Sequence, residues 1–237
     1  MIVGSMVVKN EADRYLQASL TRLVEVCDHV FVFDDNSTDN SVELADSLGA
    51  VVVRKPKDCP GFLEDESAFR QCAWQTMGHE FRLDSLDWVI SVDADEYFLG
   101  DVAYLHGTRR IDCFKIRVPE VWSLDPVRIR VDGYWNQNYN CRIGRYRDNL
   151  RFNPKKMGCG SLPNGYTSVL STEGRGGPGD LMEILHFGYA EESDRLARYN
   201  RYTSLPDHGH NPKHIESIIT KPILEEIDAV DFWKGVR

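Results

Sequence analysis

Trp88-Val89-Ile90-Ser91-Val92-Asp93-Ala94-Asp95-Glu96 runs from an apolar stretch straight into three acids. A short apolar run of this kind reads as a strand buried on both faces of a parallel sheet. Period-two geometry puts Asp93 and Asp95 on one face and Ala94 on the other. Two convergent carboxylates repel unless a cation lies between them or one is protonated. Oxygen donors suit a hard cation such as Mg2+ or Mn2+, whose shell is commonly completed by substrate phosphates and water. The stretch therefore points to a metal-held diphosphate at a strand's carboxyl end, where open α/β sheets bind ligands.

Upstream, strand and helix patterns alternate. Residues 2–8 form a Val-rich strand, and Tyr15, Leu16, Leu20, Leu23 and Val24 mark one helix face. Val30 to Phe33 is a second buried strand. A helix start at Asp39 and Asn40 follows, with Gly49 suited to the left-handed position at its end. Residues 50–53 read as a third strand, 64–78 as a helix, and 88–92 as the fourth strand. This alternation predicts an α/β fold, a mostly parallel central sheet flanked by helices. The first strand ends in Lys9-Asn10-Glu11, the second in Asp34-Asp35-Asn36-Ser37-Thr38-Asp39, and the third in Arg54-Lys55. Capping and an Asx-turn account for Asp39 and Ser37 but do not require Asp34 and Asp35 in tandem. A carboxylate there could accept a hydrogen bond from a nucleoside, while Asn10 and Glu11 equally suit a helix start.

Downstream, 113–118, 127–131 and 141–146 read as short strands without intervening helices, a smaller second sheet. Residues 157–180 hold seven glycines and two prolines, which predicts a mobile loop that packs no core and orders over a bound ligand. Residues 184–187 resemble a strand, and 191–204 and 213–230 resemble helices.

Composition limits the class. The 237 residues are 42% apolar and 11% aromatic, enough for a core and against disorder. Apolar runs are far shorter than the ~18 residues of a membrane span. The opening MIVGSMVVKN lacks a basic leader and a cleavage site, so a cytoplasmic protein is expected. Cys27, Cys59, Cys72, Cys113, Cys141 and Cys159 show no C-x-x-C pair and read as reduced thiols. Net charge is -9, against a general nucleic-acid coat protein. The charge is uneven: residues 1–100 carry 8 basic and 19 acidic side chains, while 127–156 carry 8 basic and 2 acidic. The acidic half suits a cation and the basic segment an anion, although solvated faces account for both equally.

Val8-Lys9-Asn10-Glu11, Phe33-Asp34-Asp35-Asn36-Ser37-Thr38-Asp39 and Asp87 through Glu96, in that order, resemble glycosyltransferase family 2 and its relatives with the GT-A fold. The resemblance covers residues 2–99 and implies a Mn2+- or Mg2+-dependent transfer from a nucleoside-diphosphate sugar, with uridine as the nucleoside on family grounds. It implies that Asp35 reads the base, that Asn10 and Glu11 edge the nucleoside, and that Arg70 faces the donor. Asp93 and Asp95 would hold the ribose and the diphosphate-bound metal. His186 resembles a late histidine that completes metal binding; His208 or His210 is a second choice. An inverting transferase needs a carboxylate base in its acceptor half. Asp132, beside Tyr134 and Trp135, and Glu120, after Pro119, are the candidates. A retaining relative would need neither.

The expected organisation is one domain: a donor half over 1–105, an acceptor half over 106–190 and a helical cap over 191–237. The acceptor is a hydroxyl on a glycan, a lipid carrier or a protein. The basic 127–156 segment, with its interleaved aromatics, also fits a nucleic-acid strand, which would make modified DNA bases the acceptor. A non-catalytic sugar-nucleotide binding module is a further alternative. A sugar-1-phosphate nucleotidyltransferase is disfavoured, because Val8-Lys9-Asn10-Glu11-Ala12 is not a Gly-rich basic loop.

Overall fold

The computed structural model describes residues 1–171, 182–204 and 211–227. Four parallel strands form its first half: β1 (Ile2–Val8), β2 (His29–Asp34), β3 (Val51–Arg54) and β4 (Trp88–Asp93), in spatial order β3-β2-β1-β4. Side chains alternate across this sheet. Ile2, Met6, Val8, Val30 and Val32 face α1 (Leu16–Val26) and α2 (Ser41–Ser47), where Leu16, Leu20, Leu23 and Ala45 are buried. Val3, Phe31, Phe33 and Val89 face α3 (Glu66–Phe81), through Phe69, Ala73, Trp74 and Met77. Both faces are covered, which is why these strands are apolar throughout. Gly49 follows α2 at φ +88°, a value that costs glycine nothing.

The chain then departs from simple alternation. After β4 it turns into β5 (Glu96–Leu99) and α4 (Ala103–Gly107), then β6 (Cys113–Arg117), β7 (Val121–Leu124) and β8 (Val127–Arg130). A 3-10 helix (Gly133–Gln137) and β9 (Tyr139–Arg145) follow. β9 pairs antiparallel with both β4 and β6, and so joins the middle strands to the main sheet. β10 (Val169–Ser171) and β11 (Glu183–His186) run parallel to β6, and β11 pairs antiparallel with β5. Among the described residues the main sheet has nine strands; β12 (Leu224–Glu226), β8 and β7 make a separate antiparallel sheet. α5 (Glu192–Ser204) and α6 (Pro212–Ile218) pack Tyr202, Ile215 and Ile218 against Trp122, Trp135 and Tyr189.

Three expectations change. The middle strands do not form the smaller sheet together: β6 and β9 join the main sheet, because β9 pairs with β4, and only β8 of the three lies in the small one. Part of the glycine-rich stretch is built into the fold: Cys159 and Leu162 are buried under α3, and β10 extends the sheet. Its apolar residues sit between the glycines, so composition alone hid them; 172–180 lie outside the described residues. The helix expected over 213–230 ends at Ile218, and Leu224–Glu226 pair with β8 instead. No helix among the described residues is long and apolar enough to cross a membrane.

Candidate active site

Strand order reverses at β1, which has β2 on one side and β4 on the other. A crevice at the carboxyl ends of such strands is the usual ligand site. Here it opens into a cavity of about 590 Å3, lined among others by Lys9, Glu11, Asp35, Asp93, Asp95, Glu120 and His186. Carboxylates from three strand ends therefore meet at one rim.

Asp34 and Asp35 divide the work of the second strand's end. Asp34 is fully buried and accepts the Ser37 N–H on both oxygens, 3.1 Å each, so it holds the turn. Asp35 faces the cavity. Its Oδ2 accepts from Lys9 Nζ and from the Phe62 N–H, both at 3.1 Å. Its Oδ1 is buried without a hydrogen-bond partner, with the Lys55 ammonium 3.9 Å away. A buried carboxylate oxygen left unsatisfied is costly and marks a place for a ligand donor. Glu11 Oε2 is likewise buried without a hydrogen bond, with Arg14 Nε 3.9 Å away. Burial is the main cause that pushes the Glu11 carboxyl up to about 7. Asn10 does not line the cavity: its Oδ1 accepts from the Thr38 N–H at 2.8 Å and ties the first two strand-end loops together.

The two acids of the Asp-x-Asp triplet have different partners. Asp93 closes β4 and meets Arg70, whose Nη2 donates to Oδ1 at 2.9 Å and Oδ2 at 3.2 Å. Burial opposes the charge on Asp93, but Arg70 and Arg142 outweigh it and hold its carboxyl below the usual range. Arg70 itself is buried on α3, bonded also to Glu66 at 2.8 Å, and reaches the cavity only through Asp93. Asp95 lies in the turn between β4 and β5. Its Oδ2 accepts from Arg198 Nη2 at 2.8 Å and lies 3.4 Å from His186 Nε2. Burial again opposes the charge, and His186 and Arg198 together hold Asp95 low.

His186 is placed by pairing. β11 sets it opposite Glu96, and an isolated bridge sets Glu120 beside it. Its Nδ1 lies 2.5 Å from Glu120 Oε2, and Glu120 Oε1 accepts from Asn138 Nδ2 at 2.8 Å. Burial works against a charged imidazole, yet Glu120 and Asp95 raise His186 well above its ordinary value.

The expected metal triad is not assembled: among the described residues no group of three or more His, Cys, Asp or Glu side chains could hold an ion. Asp93 is held by Arg70, which leaves Asp95 and His186 as the donor pair. A carboxylate and an imidazole suit a cation in kind, but both are engaged here: Arg198 donates to Asp95 Oδ2 at 2.8 Å, and Glu120 and Asp95 favour the protonated imidazole, so an ion would have to displace the arginine and a proton. A metal-ligating histidine ordinarily has its other nitrogen tied to a carboxylate, as Glu120 does here. Mg2+ commonly takes one or two protein ligands, with substrate phosphate completing the shell.

Asp132 is not brought to the cavity. Arg130 takes both its oxygens, at 2.7 and 2.8 Å, and the Ile223 N–H donates to Oδ1 at 3.0 Å. It pins β12 to β8. Its aromatic neighbours Tyr134 and Trp135 do line the cavity, with Tyr189 and Tyr202. The basic segment is not a free stripe, because each of its six arginines has a protein partner. Arg128 pairs with Glu226, Arg130 with Asp132, Arg142 with Glu96 and Arg147 with Asp112; Arg145 and Arg151 bond backbone carbonyls. His208 and His210 lie outside the described residues. Sequence reasoning missed Arg142 and Arg198. Their signal was faint: Arg142 lies in a strand, and Arg195, Arg198 and Arg201 recur every third residue along α5.

The sheet order and the helices on both faces give the chain a GT-A fold, and its strand-end motifs resemble glycosyltransferase family 2. No family model matches the chain. An uncharacterised protein of Mycobacterium tuberculosis is 28% identical over 252 residues, covering 100% of this chain and 60% of that protein. A Rickettsia bellii protein named an uncharacterised glycosyltransferase is 34% identical over 95 residues, 40% of this chain and 28% of that protein. The chain thus spans 60% or less of these relatives' lengths. Staphylococcus aureus TarS superposes at TM-score 0.50 with 14% identity, over 92% of this chain and 42% of TarS. A Mycobacterium tuberculosis glucosyl-3-phosphoglycerate synthase, solved with Mn2+ and UDP-glucose, gives TM-score 0.37 and 20% identity over 50% of this chain and 43% of that one.

Proposed function

We propose that the chain transfers a hexose from a nucleoside-diphosphate sugar, UDP by family resemblance, to a hydroxyl on a glycan, lipid carrier or protein. The observation that supports this best is that one cavity holds both Asp35, with an oxygen that lacks a hydrogen bond, and Asp95 against His186. Asp35 Oδ1 would accept the base N–H, with Lys9 balancing its charge. Glu11 borders the nucleoside, and Arg70 fixes Asp93 toward the ribose. Asp95 and His186 would hold a Mn2+ or Mg2+ ion, which stabilises charge developing on the leaving diphosphate.

In this reading residues 1–105 bind the donor and 106–190 supply the acceptor wall. Residues 191–237 close the site with Arg198, Arg201, Tyr202 and His214. Tyr134, Trp135 and Tyr189 offer ring faces to a sugar. For an inverting transfer the acceptor proton goes to a carboxylate, and Glu120 is the sequence candidate that lines the cavity. Asn138 and His186 fix its orientation.

Titration calorimetry with UDP and Mn2+ tests the reading. Wild type binds, and Asp35→Ala weakens binding roughly 10- to 100-fold, the usual worth of a hydrogen bond to a charged group. Equal UDP affinity in the two proteins, or none in wild type, refutes it.

A further inference from the structure

Arg198 stands against both atoms that the proposed cation would use. It projects from α5, and three contacts fix its guanidinium. Nε donates to the Gly188 carbonyl at 2.8 Å, the group lies 4.9 Å from the centre of the Tyr189 ring, and Nη2 donates to Asp95 Oδ2 at 2.8 Å. The same Nη2 lies 3.5 Å from His186 Nε2. A Cβ on residue 188 would fall 2.0 Å from that nitrogen, so glycine there is what lets the arginine reach in.

We propose that Arg198 is an exchangeable counter-ion: it neutralises Asp95 while the site is empty and passes to the donor diphosphate when the cation arrives. Two cations cannot share one carboxylate oxygen without strong repulsion. The ion can therefore take Asp95 Oδ2 only when Arg198 has another anion to engage. A diphosphate offers that anion, with paired oxygens that a planar guanidinium can engage two at a time. Free metal then binds poorly, and nucleotide and metal bind well together. In the empty site Arg198 shares the neutralising of Asp95 with His186. It rests on the transferase reading above, but it fails separately.

The test measures Mn2+ affinity by electron paramagnetic resonance, with and without UDP, for wild type, Arg198→Gln and Arg198→Lys. Arg198→Gln is expected to bind Mn2+ alone about tenfold more tightly than wild type. It is expected to bind UDP in EDTA more weakly, because the diphosphate has lost its guanidinium. Arg198→Lys, whose one nitrogen cannot reproduce the separately placed Nε and Nη2 contacts, is expected to fall between; it decides the matter if Arg198→Gln does not fold. Unchanged or weaker Mn2+ affinity in the folded variants overturns the proposal, even where wild type binds UDP with Mn2+. Failure of wild type to bind UDP with Mn2+ at all overturns the transferase reading instead.

Discussion

Glu11 is a mostly buried carboxyl at the cavity wall, and burial raises it to about 7 from an ordinary value near 4.5. Arg14 and Arg198 pull it down, Asp95 and Asp194 push it up, and desolvation is the larger cause. A carboxyl raised on folding resists ionisation in the native state. Its contribution to stability is fully present below pH 4.5, falls as pH rises to about 7, and stays low above that. Glu11→Gln removes the titration. The variant should match wild type in Tm at pH 4.5 and exceed it at pH 8; an equal or lower Tm at pH 8 contradicts the argument. At this scale the sequence was informative about identity and blind to pairing. Asp35, Asp95 and His186 stood out because each follows an apolar strand. Nothing local showed that Arg70 would take Asp93, or that Arg130, two residues from Asp132, would turn that acid away from the cavity.

Helix α3 places Arg70 behind Asp93, and its packing depends on one glycine. A Cβ at residue 78 would lie 1.8 Å from Tyr146 Oη and 2.2 Å from its Cζ. Tyr146 is buried and stacks on Trp74, with ring centres 5.0 Å apart, so it has little room to retreat. Alanine gains up to about 1 kcal/mol of helix propensity, while overpacking a core typically costs about 1–3 kcal/mol. Gly78→Ala should therefore lower stability by about 1 kcal/mol in urea unfolding. A gain in stability would show that the ring moves freely. Elements with strong periodicity were legible beforehand: β1, β2, β4 and α1 follow directly from Ile2–Val8, Val30–Phe33, Trp88–Val92 and the Leu16, Leu20, Leu23 stripe. β5, β10 and β12 were not, because three or four residues carry too short a period, and partners far along the chain make them strands.

At the scale of the molecule, β9 joins the middle of the chain to β4, and β11 brings His186 to the turn that carries Asp95. Sequence order could not show this, since residues 95 and 186 meet only through pairings across the whole sheet. The central claim is that this meeting point holds a cation bridged to a nucleoside diphosphate. A crystal of the protein grown with UDP and MnCl2, measured at a wavelength where manganese scatters anomalously, tests it directly. The account predicts one anomalous peak bonded to Asp95 and His186 and to the diphosphate, with the base at Asp35. UDP bound elsewhere, or bound in the cavity with no peak at Asp95 and His186, would contradict it.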